Sequence, residues 1–241
     1  MIFYYDVEAI FIIGSRMFSQ LIHPEGWRFV GIFGAITFFL FLISSVLGWI
    51  GIVLTIWCFY FFRNPPRVVP DRYGLIVSPA DGKVVAIQEV TPPAEWSIGN
   101  EPRVRISIFL NVFDVHLNRI PIKSQVRKVL YHTGKFFNAS LDKASEHNER
   151  NTLVLDINDE QNMAVTQIAG LIARRIRCDV TPSQSVETGE LFGLIRFGSR
   201  TDIYLPLNTA PLVIEGQRMI GGETVLADLT SDEFPRQGAV L

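Results

Sequence analysis

A mainly β domain, barrel- or sandwich-like, behind an N-terminal membrane helix or helical hairpin is the architecture this sequence predicts. Three observations predict it. No Asp, Glu, Lys or Arg occurs in the 34 residues 29–62. Three prolines then fall within six positions, at Pro65, Pro66 and Pro70. Beyond them, short apolar runs alternate with turn residues almost to the C-terminus.

Composition narrows the function classes. The 241 residues suit one ordinary domain plus an appendage. With 48% hydrophobic residues the chain can pack a core, which excludes disorder. A net charge of −2 argues against a dedicated nucleic-acid binder, which would carry a basic face. Two cysteines, Cys58 and Cys178, exclude a disulfide framework and a cysteine-only zinc site. No internal repeat or low-complexity tract stands out.

The mean hydropathy of +0.25 is high, and the excess lies at the front. A bilayer core needs about 20 helical residues, so 34 at ~1.5 Å each, roughly 50 Å, overshoot one upright span. Either one tilted helix with interfacial ends or a hairpin fits. The hairpin would turn near Ser44-Ser45 or Gly48, with arms of about 15–17 residues. Arg16, Arg28, Arg63 and Arg67 flank the run on both sides. A hairpin gathers them on one face, cytoplasmic by the positive-inside tendency, whereas a single span splits them. The hairpin is therefore favoured, on the cell (inner) membrane with the remaining domain on the cytoplasmic face. Trp27, Trp49 and Trp57 suit interfacial positions in part. Asp6 and Glu8 near the start, and the late apolar run, argue against a cleaved signal peptide.

The organisation that follows is a membrane-associated segment over 1–62, a stiff proline-rich linker over 63–75 and a β-rich domain over 76–241. Candidate strands are 84–87, 104–112, 153–157, 172–180, 191–197, 203–205, 212–214 and 225–227, most of them separated by Pro, Gly or Asn-Asp breakers. Only 138–150 reads as helix or loop. In 104–112, Val104, Ile106, Ile108, Leu110 and Val112 alternate with polar residues, the period of a half-buried strand. Continuing that parity would bring Asp114 and His116 onto the apolar face, where they could perturb each other's pKa. Alternatively the strand ends at Phe113 and both side chains serve a turn.

The usual enzyme signatures are missing. His23, His116, His132 and His147 are not spaced as metal ligands, and no glycine-rich phosphate loop or G-x-S-x-G elbow occurs. Three segments are nevertheless unusually specific: Ser78-Pro79-Ala80-Asp81-Gly82, the run 111–121 around Phe113-Asp114-Val115-His116, and the run 193–200 ending in Gly198-Ser199-Arg200.

Together with His23-Pro24-Glu25-Gly26-Trp27, Phe62-Arg63-Asn64-Pro65, Asn148-Glu149-Arg150-Asn151 and Gly222-Glu223-Thr224-Val225, these segments resemble the phosphatidylserine decarboxylase family in its short, membrane-anchored form. Order and spacing carry the resemblance. Gly-Ser-Arg alone also occurs at Gly14-Ser15-Arg16, without the companion segments.

The resemblance implies a zymogen. Ser199 would attack the carbonyl of Gly198, and β-elimination and hydrolysis would leave a pyruvoyl group on a short chain, 199–241, beside a long chain, 1–198. The two would stay together as a heterodimer, since 43 residues cannot hold a core alone; higher oligomers are left open. The implied cofactor is this pyruvoyl group from Ser199, with no metal and no pyridoxal phosphate. The implied reaction is decarboxylation of phosphatidylserine to phosphatidylethanolamine through a Schiff base with the substrate amine. Glycine before the serine gives the backbone freedom and the hydroxyl access. A serine hydroxyl needs a base, for which His116 is the first choice, with Asp81 as its acidic partner and Asp114 as the rival acid. Longer family members carry a second histidine where this chain has Arg119, so His116 could serve cleavage, decarboxylation or both. Arg119, Arg196 and Arg200 are candidate contacts for the lipid phosphate. An archaetidylserine-type headgroup would be handled by the same chemistry. A non-catalytic tethered β-domain and a membrane-bound serine protease are the competing classes.

Overall fold

The computed structural model describes residues 21–134, 148–170, 175–196 and 199–239. The chain divides after Pro66 into two units.

The first unit is a helical hairpin. Helix α1 spans Pro24–Ile43 and α2 spans Ser45–Phe61. His23 caps α1: its backbone is extended and its Nδ1 accepts the Glu25 N–H at 3.3 Å. Pro24 follows in the first turn, where a missing N–H costs nothing, and Glu25 complements the helix dipole there. A single extended residue, Ser44, separates the helices. The far ends meet, with the His23 N–H on Phe62 O at 2.9 Å and the Asn64 N–H on Leu21 O at 2.8 Å. Between the arms Thr37 Oγ1 and Thr55 Oγ1 share a hydrogen bond of 3.0 Å. A Cβ on Gly51 would stand 2.7 Å from Thr37 Oγ1, so glycine sets how closely the helices approach. Phe38, Leu42, Ile43, Val46, Trp49 and Val53 are each more than 60% exposed. Such an apolar exterior suits lipid rather than water. The first arm has 20 residues instead of about 15–17 because it starts at Pro24, ahead of the uncharged run. Among the described residues, α1 alone is long and apolar enough to cross a membrane.

The second unit holds thirteen strands among the described residues. They are β1 (Leu75–Val77), β2 (Gly82–Val90), β3 (Arg103–Leu110), β4 (Leu117–Arg119), β5 (Ser124–His132), β6 (Arg150–Asp156), β7 (Asn162–Ile168), β8 (Ile176–Cys178), β9 (Ser185–Val186), β10 (Leu191–Ile195), β11 (Ser199–Tyr204), β12 (Arg218–Met219) and β13 (Val225–Asp228). Eight form an antiparallel sheet in the order β12-β2-β3-β11-β7-β6-β5-β9. Sheets β4-β10-β8 and β1-β13 complete the unit. The large sheet curls into a half-barrel. Its inner face packs Ile106, Ile108, Leu110, Leu153, Val165 and Ile203 in one core with Phe192 from β10 and Leu226 from β13.

Several expectations change. Strand β3 is buried on both faces rather than one, with Arg105 and Ser107 buried alongside Ile106. It ends at Leu110, and residues 111–114 form a turn in which the Phe113 N–H bonds Asn111 Oδ1 at 2.8 Å. The apolar parity therefore stops before Asp114, and His116 belongs to the approach to β4. Residues 212–214 are not a strand, because Ile214 enters a tight turn closed by the Gln217 N–H on its carbonyl. Strand β5 escaped notice because a bulge between Val126 and Lys128 breaks its period of two. Of the stretch 138–150, residues 138–147 lie outside the described residues; Arg150 already belongs to β6.

Candidate active site

Strand β11 lies in the middle of the large sheet, between β3 and β7. Its first residue, Ser199, pairs with Leu110. Alternation puts Ser199, Thr201 and Ile203 on the inner face and Arg200, Asp202 and Tyr204 on the outer one. Ser199 is fully buried, and its hydroxyl has no hydrogen-bond partner among the described residues. A buried hydroxyl left unsatisfied costs about 1–3 kcal/mol, so its retention calls for a functional explanation. Phe197 and Gly198 lie outside the described residues.

Two backbone connections link His116 to the strands on either side of the Gly198-Ser199 junction. Its carbonyl accepts the Ile195 N–H at 3.1 Å, four residues before Ser199. It also closes the short connection from Leu110, the partner of Ser199. The ring is buried, and its Nδ1 lies 3.0 Å from the Asp114 carbonyl oxygen. A carbonyl only accepts, so Nδ1 carries the proton, and in the neutral form of the ring that leaves the lone pair on Nε2.

Two residues beyond His116 and Ser199 in the chain, Asn118 Nδ2 donates to Thr201 Oγ1 at 3.2 Å. The Gln167 amide donates to Asn118 Oδ1 at 2.9 Å, and Asn151 Nδ2 donates to Gln167 Oε1 at 3.0 Å. All four side chains are buried. This amide relay from β6 through β7 and β4 to β11 was missed in the sequence. Asn118 stood inside a conspicuous motif, but nothing local indicated its partners.

Asp81 occupies the turn before β2. Its carboxylate accepts from Arg67 Nη2 at 2.9 and 2.8 Å and from the Gly221 N–H at 2.7 Å. These partners, rather than the His116 ring, take its hydrogen bonds. The turn supports β4 instead, since Pro79 O accepts the Arg119 N–H at 2.9 Å. Gly82 has φ +149°, and a Cβ there would lie 2.3 Å from Phe109 O, so only glycine fits. Asp114 is likewise engaged: Oδ2 accepts the Asn111 N–H at 2.9 Å, and Oδ1 pairs with Arg218.

The three arginines fall in different places. Arg119 donates to Gly189 O at 2.9 Å. Burial, reinforced by Arg67, lowers its pKa against the opposing pull of Asp81 and Glu223. Arg196 follows β10 and is half-buried. Arg200 points away from Ser199 and holds Asp202 through contacts of 2.6 and 2.8 Å, both side chains only 1% exposed.

Comparison with known proteins adds an independent line. The family model for phosphatidylserine decarboxylase matches residues 54–227. The phosphatidylserine decarboxylase proenzyme of Rhodospirillum rubrum is 60% identical over 220 residues, covering 91% of this chain and 93% of its own. That of Cereibacter sphaeroides is 58% identical over 222 residues, covering 92% and 96%. That of Ruegeria pomeroyi is 58% identical over 212 residues, covering 88% and 97%.

Proposed function

Because the chain belongs to the phosphatidylserine decarboxylase family, we propose that it is a zymogen that cleaves itself between Gly198 and Ser199 and then decarboxylates phosphatidylserine to phosphatidylethanolamine at the membrane. The observation that carries this function is the Ser199 hydroxyl, buried at the start of β11 without a hydrogen-bond partner among the described residues. That hydroxyl fits a residue consumed to make a prosthetic group, because the ladder does not depend on it.

Nε2 of His116 takes the Ser199 proton as the hydroxyl oxygen adds to the Gly198 carbonyl, and the peptide becomes an ester. Loss of the Ser199 α-proton eliminates the Gly198 carboxylate and leaves dehydroalanine. Water then releases ammonia and leaves the pyruvoyl group at the head of the short chain. When formed, that group supplies an electron-accepting carbonyl for loss of CO₂ from the bound amino acid headgroup. His116, whose carbonyl pairs with Ile195 just ahead of the scission point, is also assigned as the proton donor to the substrate α-carbon. Asp81 is the acidic member of the site; it acts by fixing the turn that carries Pro79 and, through it, β4. The outward position of Arg200 leaves Arg119 and Arg196 as contacts for the lipid phosphate.

Association of the products has a ready basis. All three strands downstream of the scission point pair with upstream strands, β11 with β3 and β7, β12 with β2, and β13 with β1. The apolar hairpin would hold the enzyme at the bilayer that contains substrate and product, raising their effective concentration. Its flanking Arg28 and Arg63 favour the cytoplasmic side.

The test is a denaturing intact-mass spectrum of the purified protein, with and without borohydride in the presence of phosphatidylserine. Two chains split after Gly198, the short one blocked by a pyruvoyl group that is trapped with the lipid amine, are expected. A processed and active Ser199→Ala protein would sink the mechanism.

A further inference from the structure

The Asp114 carboxylate is engaged by Arg218 and the Asn111 N–H, and its main-chain carbonyl holds the His116 ring. We infer that Arg218, a residue from beyond the scission point, is a positioning residue for His116, acting through Asp114. This rests on the assignment of His116 as the base.

The connection is continuous. Arg218 lies on β12, at the edge of the large sheet, where it pairs with Lys83 of β2. Two like charges directly opposed across a ladder are unfavourable, and the Asp114 carboxylate offsets them by pairing with Arg218. The second oxygen of Asp114 accepts the Asn111 N–H at 2.9 Å. The Asp114 N–H returns to Asn111 O, also at 2.9 Å. The 111–114 turn is thus pinned at both ends of its acidic residue, and the Asp114 side chain is only 6% exposed. The carbonyl of the same residue receives His116 Nδ1 at 3.0 Å. That contact fixes the ring plane and the tautomer, and so directs Nε2. Arg218 itself is 65% exposed, so it can be truncated without opening the core.

The arrangement has a consequence for the mature enzyme. After scission His116 lies in the long chain and Arg218 in the short one. The chain that bears the pyruvoyl group therefore also supplies the strut that aims the histidine of its partner.

The experiment follows scission on gels during cell-free synthesis into phosphatidylserine-containing vesicles, and then measures steady-state decarboxylation of the processed protein. The proteins are wild type, Arg218→Ala, Arg218→Lys, Asp114→Asn, the Arg218→Ala/Asp114→Asn double variant and His116→Ala. Asp114→Asn keeps an acceptor for Asn111 and loses the ion pair. Arg218→Ala is expected to slow scission about tenfold, the scale of one charged hydrogen bond. Lysine should restore part of that rate. The double variant should be no slower than Asp114→Asn alone, since both changes break one connection. In the mature enzyme kcat should fall with KM unchanged. A wild-type rate for Arg218→Ala, multiplicative effects in the double variant, or a rise in KM alone would each overturn the inference. His116→Ala separates the two levels: if it is processed at the wild-type rate, the assignment of the base fails. If it is blocked while Arg218→Ala matches wild type, only the role of Arg218 fails.

Discussion

Replacing Asn118 by alanine removes the central member of the amide relay. The Gln167 amide loses its acceptor at 2.9 Å, and the Thr201 hydroxyl loses its donor at 3.2 Å. Both partners are fully buried, so water cannot substitute for the missing amide without entering the core. Pro79 O loses a weak contact of 3.4 Å but keeps the Arg119 N–H. Two orphaned neutral groups at about 1–3 kcal/mol each give about 4 kcal/mol as a central value. A β unit of this size loses about 2–4 °C of midpoint per kcal/mol, so the shift is about 8–16 °C downward. The assay is thermal unfolding by circular dichroism in detergent at one scan rate. Asn118→Ala is compared in a Ser199→Ala background, so that both samples remain single chains. A second readout, in the Ser199 background, is scission, which should slow because Thr201 anchors the strand two residues from the attacking hydroxyl. A midpoint within 2 °C of the control would refute the reasoning, since it would mean that the relay contributes little. A double change at the neighbouring Thr152–Thr166 pair, joined at 2.9 Å, sharpens the contrast. Replacing both threonines by valine removes donor and acceptor together and should cost much less than Asn118→Ala.

Three further outcomes are expected. Gly82→Ala should yield aggregated, unprocessed chain, because φ +149° and a Cβ 2.3 Å from Phe109 O cannot both be relieved; soluble, processed protein on a gel would contradict this. The Asp228 carboxyl is held below its ordinary value by the Thr230 N–H, with help from the Thr230 hydroxyl and Arg72. A depressed folded pKa contributes stability above the ordinary aspartate value and loses it as pH falls, so short-chain release should rise below about pH 4. Sizing of the processed enzyme under mild acid tests this, with Asp228→Asn expected to flatten the acid dependence. Burial pushes the Cys178 thiol up, so iodoacetamide at pH 7.5 should label it much more slowly than a free thiol peptide; matched rates by mass spectrometry would contradict that burial.

Much of the fold was legible before any coordinates. The uncharged run marked the hairpin because 34 residues without a charge exceed the needs of a soluble helix. The strand runs 84–87 and 225–227 fall within β2 and β13, and 153–157 overlaps β6 up to Asp156, where apolar residues dominate locally. Strands β5 and β7 were not legible: a bulge disrupts the pattern of the first, and Thr166 and Gln167 interrupt the second with polar groups that are buried only because other strands satisfy them.

At the candidate site, sequence order marked Ser199, His116 and Asp81 as residues worth joining, because motif content is carried by residue type and spacing along the chain. What the side chains do to one another was settled only in three dimensions. Alternation sends Arg200 to the face opposite Ser199, where it meets Asp202. Asp81 meets Arg67 and Gly221, and Asp114 meets Arg218, across separations of 14, 140 and 104 residues. Spacing along a chain records which chemistry is available. Hydrogen-bond partners so distant in sequence are chosen by strand register and by the need to satisfy every buried polar group, and both exist only once the sheet has closed.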